Sequence, residues 1–188
     1  MKTLIVYGTR YGATAGAAEE IAKILLEEGF DVKVANAKKE KIKDITPYDL
    51  IIIGTGVALG KWTGEIQDFV KRFGSDLNQK KMALFVSTGK FMAQHQLNEK
   101  PTAVEDTRKI DIDDKIAKYQ LKPLAIGFFG GVLNLNKMNF LSRRMFGGFI
   151  KEHMGTEGFK ETEPGIYDMR DWEEIRSWAK ELVEKARK

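Results

Sequence analysis

The sequence predicts an α/β domain in which five parallel strands form one sheet, with helices on both faces in a doubly wound, three-layer α/β/α arrangement. Apolar segments of strand length alternate with segments whose apolar residues recur at helical spacing. Three of the strands run directly into glycine, serine or threonine. With 188 residues, the chain is long enough to bury a sizeable core as a single domain, 1–188.

The first strand, turn and helix are predicted within residues 2–28. Apolar residues 4–7 predict a strand, and residues 8–14 form a turn rich in glycine and threonine. The helix that follows is predicted from one inward stripe, formed by Ala17, Ile21, Ala22 and Leu25.

Four further strands are predicted at residues 30–35, 50–53, 82–86 and 124–129. Residues 50–53 are apolar throughout, which is typical of a central strand buried on both faces. Because helical segments separate most of the strands, this pattern predicts that the strands are parallel.

Three helices are predicted after the third strand. One presents Ile66, Phe69, Val70 and Phe73 on its inner face. A second is expected after Pro101, within the polar stretch 90–119. The last begins at a capping box formed by Asp171 and Glu174. Its inner face consists of Ile175, Trp178, Leu182 and Ala186.

The turn at residues 8–14 carries the strongest signal for a ligand. A helix N-terminus offers unpaired backbone N–H groups and the positive end of a dipole, so this turn is suited to an anion. Thr9 and Thr14 add hydroxyl donors, and Gly12 lets the backbone close around a phosphate. The alternative is that these residues only cap the helix.

The spacing of the turn excludes two common phosphate motifs. Gly8, Gly12 and Gly16 do not match the G-x-G-x-x-G pattern of dinucleotide sites, and the G-x-x-x-x-G-K-[ST] pattern of triphosphate sites is absent. The pattern that is present is T-x-x-G-x-T, formed by Thr9, Gly12 and Thr14.

Loops at residues 8–14, 54–62 and 87–92 are expected to meet around one ligand, because such sheets bind ligands outside the carboxyl ends of their strands. The first loop would hold a phosphate and the other two would flank a planar ring. The ring contacts predicted are Thr55, Gly56, Val57, Ser87, Thr88 and Gly89. Trp62 is a candidate for stacking on the ring, and its alternative role is to cap the core. Tyr11 and Phe91 are weaker stacking candidates.

Composition excludes several kinds of chemistry. The chain has no cysteine, so thiol catalysis, disulfides and cysteine-ligated metals are excluded. His95 and His153 stand apart in the sequence and predict no metal site. No apolar run approaches the roughly 20 residues of a membrane span. The N-terminus enters a strand at once, so we expect no secretory signal and a cytoplasmic location.

Positive charge is concentrated in one stretch of an otherwise balanced chain. No acidic residue lies between Asp114 and Glu152, whereas the stretch holds seven of the 31 basic residues. Residues 132–154 are predicted to form a basic amphipathic insertion with Met and aromatic residues on one face. Its cations are Lys137, Arg143, Arg144 and Lys151.

Three roles are open for this insertion. It could lie on an anionic membrane surface, wall a site for a hydrophobic acidic substrate, or pack on the sheet with a solvated basic face. Nucleic-acid binding ranks lower, because no recognised nucleic-acid motif accompanies the charge. We therefore expect no nucleic acid among the partners.

The chain resembles the flavodoxin superfamily over its whole length. More narrowly, it is similar to the menaquinone-dependent protoporphyrinogen IX dehydrogenase branch. The segments that carry the resemblance are K-T-L-I-V-Y-G-T-R (2–10), V-A-N (34–36), Y-D-L-I-I-I-G (48–54), F-V-K (69–71) and D-W-E (171–173), the last followed by Ala179 and Glu181.

This resemblance implies a flavodoxin-like fold that binds FMN noncovalently. The phosphate would be held by Thr9, Arg10, Gly12, Ala13 and Thr14, with Tyr11 in the same loop, and the isoalloxazine by the loops that start at Thr55 and Ser87. The flavin would carry the chemistry, so no catalytic side chain is predicted. The expected reaction is oxidation of a substrate such as protoporphyrinogen IX with transfer of electrons to a quinone.

Two alternatives remain open at the level of sequence. The protein could be an electron carrier whose partner is another redox protein, although typical carriers of this kind are acidic and this chain has a pI of about 9.1. It could also be a non-catalytic module that binds a phosphate ligand.

Overall fold

The computed structural model describes residues 1–95 and 102–188. Its main sheet contains five parallel strands: β1 (Lys2–Gly8), β2 (Asp31–Asn36), β3 (Leu50–Ala58), β5 (Lys81–Thr88) and β6 (Ala125–Gly130). They lie in the order β2-β1-β3-β5-β6, and all four pairings are parallel. A two-residue strand, β4 (Lys61–Trp62), folds back antiparallel on the end of β3. The predicted α/β class and five-stranded parallel sheet are confirmed.

The helices are α1 (Ala13–Glu27), α2 (Gly64–Leu77), α3 (Lys90–His95), α4 (Ala103–Arg108), α5 (Asp114–Tyr119), α6 (Phe140–His153) and α7 (Trp172–Arg187). A π-helical turn, Lys109–Asp113, joins α4 to α5, and a 3₁₀ turn, Leu135–Lys137, precedes α6. The helix expected after Pro101 is therefore present as α4.

Helices cover both faces of the sheet, which explains the uninterrupted apolar run in β3. On one face, Ile52 packs in a cluster with α1 and α7, including Ile21, Leu25 and Trp178. On the other face, Ile51 and Ile53 belong to a cluster with α2. The α2 residues of that cluster are Ile66, Phe69, Val70, Phe73 and Leu77. The predicted inner faces of α1, α2 and α7 are all buried.

Half of the predicted capping box is present at the start of α7. The Asp171 carboxylate accepts hydrogen bonds from the backbone N–H groups of Glu173 (2.9 Å) and Glu174 (3.0 Å). The Glu174 side chain, however, forms an ion pair with Lys90 of α3. The second acid of the motif is therefore used to join two helices.

Within the predicted basic amphipathic insertion at residues 132–154, the helix α6 begins only at Phe140. Residues before the helix form β7 (Val132–Asn134) and the 3₁₀ turn. β7 pairs antiparallel with β9 (Ile166–Asp168), which pairs antiparallel with β8 (Lys160–Glu163). This small sheet was not predicted, since strands of three or four residues are too short to show a period.

A third apolar cluster joins this sheet to α6 and α3. Its buried members are Phe91, Leu133, Ile150, Phe159, Tyr167 and Met169. Phe159 stacks on Tyr167 with ring centroids 5.0 Å apart. Phe91, 6% exposed, is therefore a core residue of the cluster, where its ring stacks on Phe159, rather than a residue that stacks on the ring of a ligand. Within the described ranges, no helix is long and apolar enough to cross a membrane.

We expect Asp171→Ala to lower the free energy of unfolding by about 1 kcal/mol, because two N–H groups at the start of α7 lose their acceptor. Asp171→Asn is the matched control, since its side-chain oxygen can still cap the helix. Chemical denaturation followed by circular dichroism measures both. Equal destabilisation by the two substitutions would contradict the capping role.

Candidate functional site

A cavity of about 640 Å³ lies at the carboxyl ends of β1, β3 and β5. Its wall contains ten of the predicted cofactor residues: Thr9, Arg10, Tyr11, Ala13, Thr14, Gly56, Val57, Ser87, Thr88 and Gly89. The three predicted loops therefore meet around one space, as the parallel register of the strands requires.

The turn between β1 and α1 leaves the helix N-terminus available to a ligand. Gly12 precedes α1 with φ at 97°, a left-handed conformation that favours glycine, and its N–H donates to the Thr9 hydroxyl at 3.0 Å. No side chain caps α1. The unpaired N–H groups and the positive end of the helix dipole make this end of the cavity favourable for an anion.

Two buried hydroxyl oxygens in the cavity wall lack a hydrogen-bond partner among the described residues. They are Oγ1 of Thr14, whose residue is 0% exposed, and Oγ of Ser87, whose residue is 4% exposed. Buried polar groups are normally paired, and leaving one unpaired costs about 1–3 kcal/mol. Both oxygens therefore point to a ligand that completes their hydrogen bonds.

Gly56 keeps the wall open beside Thr14. A Cβ on Gly56 would lie 3.3 Å from Thr14 Oγ1 and 3.6 Å from the backbone nitrogen of Arg10. The first contact is tight and the second is an ordinary van der Waals contact, so a side chain here would fill part of the space beside the turn. Arg10 itself is exposed, and its guanidinium donates to the backbone carbonyls of Lys61 and Trp62 at 3.4 and 3.5 Å.

Three predicted contacts do not line the cavity. Gly12 serves only as backbone in the turn, and Thr55 is buried, with its hydroxyl accepting a hydrogen bond from the N–H of Thr63 at 3.2 Å. Trp62 is 1% exposed, and its ring lies 5.8 Å from that of Tyr119. Trp62 therefore belongs to the core, the alternative role considered for it, and not to the cavity wall, where a stacking residue would lie.

Asp111 is a cavity residue that the sequence did not reveal. It lies in the π-helical turn, is 5% exposed, and accepts a hydrogen bond from the Thr88 hydroxyl. Its backbone carbonyl accepts a hydrogen bond from the Trp62 indole N–H at 2.7 Å. Burial raises the pKa of the Asp111 carboxyl, while the Thr88 hydrogen bond and the Lys115 charge oppose the rise.

The insertion forms one wall of the cavity and separates its four predicted cations. Lys137 lines the cavity together with Met138, Asn139 and Phe146. Arg143, Arg144 and Lys151 lie outside that wall and are exposed. Arg143 donates from Nε to the backbone carbonyl of Leu135 at 2.6 Å, which fixes α6 to the 3₁₀ turn.

A second opening, of about 840 Å³, lies between α3 and the start of α7. Of the residues predicted to contact the cofactor, only the weaker stacking candidate Phe91 lines it, and its wall contains the Lys90–Glu174 ion pair. The first cavity is therefore the candidate site. Among the residues that the structure describes, no group of three or more His, Asp or Glu side chains could hold a metal ion.

The sheet order and the uncapped helix at the first strand–helix turn define the flavodoxin-like class of α/β proteins. The model of the family described as flavodoxin domain matches residues 4–161, and the chain belongs to this family.

Relatives of two kinds match the chain. Protoporphyrinogen IX dehydrogenase (quinone) of Escherichia coli K12 is 27% identical over 184 residues, which cover 97% of this chain and 95% of the relative. Flavodoxin of Clostridium beijerinckii is 34% identical over 88 residues, 45% of this chain and 63% of the relative. Flavodoxin 2 of Bacillus cereus has the same fold, with a TM-score of 0.55, 19% identity, and 98% and 99% of the two chains covered.

FMN is the cofactor of this family, and the prediction of FMN is confirmed at that level. The cavity fits the group in two respects. The uncapped start of α1 suits a phosphate, and the unpaired hydroxyls of Thr14 and Ser87 can bind polar atoms of a ligand.

We expect Thr14→Val to weaken FMN binding about tenfold, since one hydrogen bond to a charged group contributes about 1.5 kcal/mol or more. The apo protein should be as stable as the wild type or more so, because the substitution removes an unpaired buried oxygen. Flavin fluorescence quenching measures the affinity, and thermal unfolding measures the stability.

Thr46→Val, at an exposed hydroxyl far from the cavity, controls for the loss of a threonine oxygen. An apo protein that binds no FMN would contradict the assignment of the cavity. If Thr14→Val bound FMN with wild-type affinity, the predicted contact between Thr14 and the phosphate would be wrong.

Proposed function

We propose that this protein is an FMN-dependent oxidoreductase that oxidises a porphyrinogen-type substrate and passes the electrons to a quinone. The observation that carries the proposal is the insertion, which lines the cofactor cavity through Lys137, Met138, Asn139 and Phe146. A porphyrinogen-type substrate needs both cationic and apolar contacts. Lys137 supplies the first, and Met138 and Phe146 supply the second, in the same wall as the predicted ring loops.

The comparisons support this choice over a simple carrier. The similarity to the E. coli dehydrogenase extends over 97% of the chain and thus includes the insertion, whereas the similarity to C. beijerinckii flavodoxin covers 45%. The identity of 27% leaves the substrate as our proposal.

The cofactor-binding part of the proposal assigns two ends to the cavity. Thr9, Arg10, Tyr11, Ala13 and Thr14, with the Gly12 backbone, would hold the FMN phosphate at the start of α1. The loops that contain Thr55, Gly56 and Val57, and Ser87, Thr88 and Gly89, would hold the ring by backbone and hydroxyl groups. Bound FMN supplies the reversible uptake of electrons, and the protein supplies its position and surroundings.

The wall formed by the insertion would select the substrate. Met138 and Phe146 are partly buried against the third apolar cluster, so they offer a fixed apolar surface to a large ring. Lys137 is exposed at the cavity and can attract the carboxylates of an acidic substrate. The insertion carries one acidic residue, Glu152, and Glu152 does not line the cavity beside Lys137.

An electron carrier between redox proteins is the second candidate function, and the flavodoxin relative supports it. A non-catalytic module for a phosphate ligand is the third. An FMN-loaded protein that does not accelerate substrate oxidation would favour the carrier. A protein that cannot be loaded with FMN would favour the module.

We expect the FMN-loaded protein to form fluorescent porphyrin from protoporphyrinogen and a menaquinone, without oxygen, faster than a protein-free control. Lys137→Glu should raise KM roughly tenfold, since an exposed ion pair contributes up to about 1 kcal/mol and reversal adds repulsion. FMN affinity and kcat should change little.

Lys122→Glu is the matched control, because Lys122 is an exposed cation of the same acid-free stretch that does not line the cavity. A rate equal to the protein-free control would contradict the dehydrogenase function. Equal KM values for the two variants would contradict the role of Lys137 alone.

We further propose that α6 touches an anionic membrane from which a quinone is reached. Phe140 is 78% exposed and Leu141 is 75% exposed, which is unusual for large apolar side chains. Arg144 and Lys151 are exposed four and eleven residues after Phe140, so they share its face of the helix. An apolar residue flanked by cations is typical of helices that bind the interface of anionic bilayers.

We expect Arg144→Glu with Lys151→Glu to weaken binding to phosphatidylserine-containing liposomes about thirtyfold, because each cation contributes about 1 kcal/mol near such a surface. Wild-type binding should also weaken as salt is raised. Co-sedimentation measures both effects. Lys180→Glu with Lys185→Glu changes the exposed face of α7 equally, and binding lost equally in both variants would argue against a role for α6.

A further inference from the structure

Asp111 is the only acidic side chain in the wall of the cavity, among the residues that the structure describes. Its position is fixed from two sides. The Trp62 indole N–H holds its backbone, and the Thr88 hydroxyl holds its side chain. Neighbouring Ile112 is fully buried, which anchors the π-helical turn in the core. π-helical turns inside helices are frequent at functional sites.

The surroundings of Asp111 leave its charge only partly compensated. Lys115, one turn further along the same helical segment, is the cation whose charge opposes the rise in its pKa. Arg10 and Lys137 are the cations in the cavity wall, and Tyr11 is the other titratable side chain there. Because burial disfavours the charged carboxylate, the pKa of Asp111 lies above its ordinary value of 3.8.

We propose that the Asp111 carboxyl, with Thr88, takes up a proton when negative charge develops on a ring bound in the cavity. This inference rests on the proposed function, since the ring is that of FMN. Two electrons and one proton added to the neutral ring leave one negative charge on it. A second proton, from water, then goes to the Asp111 carboxylate. The electrons come from the organic substrate, or from dithionite in the test below.

Proton uptake by Asp111 changes the hydrogen bonding that Thr88 offers to a ligand in the cavity. While Asp111 is ionised, the Thr88 hydroxyl donates to it and presents only lone pairs to a ligand. Once Asp111 is protonated, its own O–H can donate to Thr88 Oγ1. The Thr88 O–H is then free to donate to the charged ring. Proton uptake thus removes one negative charge and supplies one hydrogen-bond donor.

The charge state of Asp111 should make the affinity for reduced FMN depend on pH. Above the pKa of Asp111, its negative charge weakens binding of reduced FMN more than that of oxidised FMN. Below that pKa the carboxyl is neutral, so the penalty disappears. Asp111→Asn is neutral at every pH and should lack this dependence.

The test compares dissociation constants of oxidised and dithionite-reduced FMN, measured without oxygen on both sides of the Asp111 pKa. Above it, Asp111→Asn should favour reduced over oxidised FMN about tenfold more than the wild type does, equivalent to a rise of about 30 mV in the two-electron potential. Below it, the two proteins should agree. Asp113→Asn removes an exposed carboxylate from the same turn and should behave as the wild type.

Carbon-13 NMR of the wild-type Asp111 carboxyl supplies a second measurement that needs no variant. Its pKa should be above the ordinary value in the apo protein and should rise again when bound FMN is reduced. Thr88→Val should raise it in the apo protein, because a hydrogen bond to the charged form is lost.

Two results would overturn the inference while FMN still binds. One is an Asp111 pKa unchanged by reduction, and the other is an effect of Asp111→Asn that is the same at every pH. If no FMN binds, the proposed function fails first and this inference fails with it.

Discussion

The burial of β3 on both faces is the constraint on which the rest of the structure depends. β3 pairs with β1 on one side and β5 on the other, and helices cover both faces of its apolar run. Because these three strands are parallel and in register, their carboxyl ends meet at one edge. Residues that are unremarkable one by one, such as Thr14, Gly56 and Ser87, are thereby brought into one wall.

Features governed by local pattern could be predicted from the sequence. The apolar runs of the sheet strands, the inner stripes of α1, α2 and α7, and the turn before α1 all follow from spacing and from glycine and threonine chemistry. The three loops that hold the ten predicted cofactor residues could be identified in this way, because the topology of a parallel sheet makes strand ends neighbours. Arg10 and Ala13, however, were expected only from the family resemblance.

Features that depend on distant contacts could not be predicted. Trp62 turns into the core because β4 folds back on β3 through Leu59 and Gly60, both at positive φ. Asp111 is 23 residues from Thr88 in sequence, and neighbouring acids at 113 and 114 give it no distinguishing local pattern. β7, inside the insertion, has too few residues to show a period, and its partner strand β9 lies beyond α6 in the sequence.

The hydrogen bond from the Trp62 indole N–H to the Asp111 carbonyl helps to explain how parts of the cavity wall can differ in their preference for charge. The start of α1 favours an anion, whereas the buried Asp111 carboxylate in the cavity wall disfavours one. Trp62 holds Asp111 in place by its indole N–H, so it shapes the cavity from behind without contacting it. On the proposals above, a phosphate would be stabilised at the start of α1, while negative charge on a ring near Asp111 would be disfavoured until the carboxylate takes up a proton. An electron-accepting site with this asymmetry would hold its cofactor by the phosphate and could set the reduction potential of the ring independently.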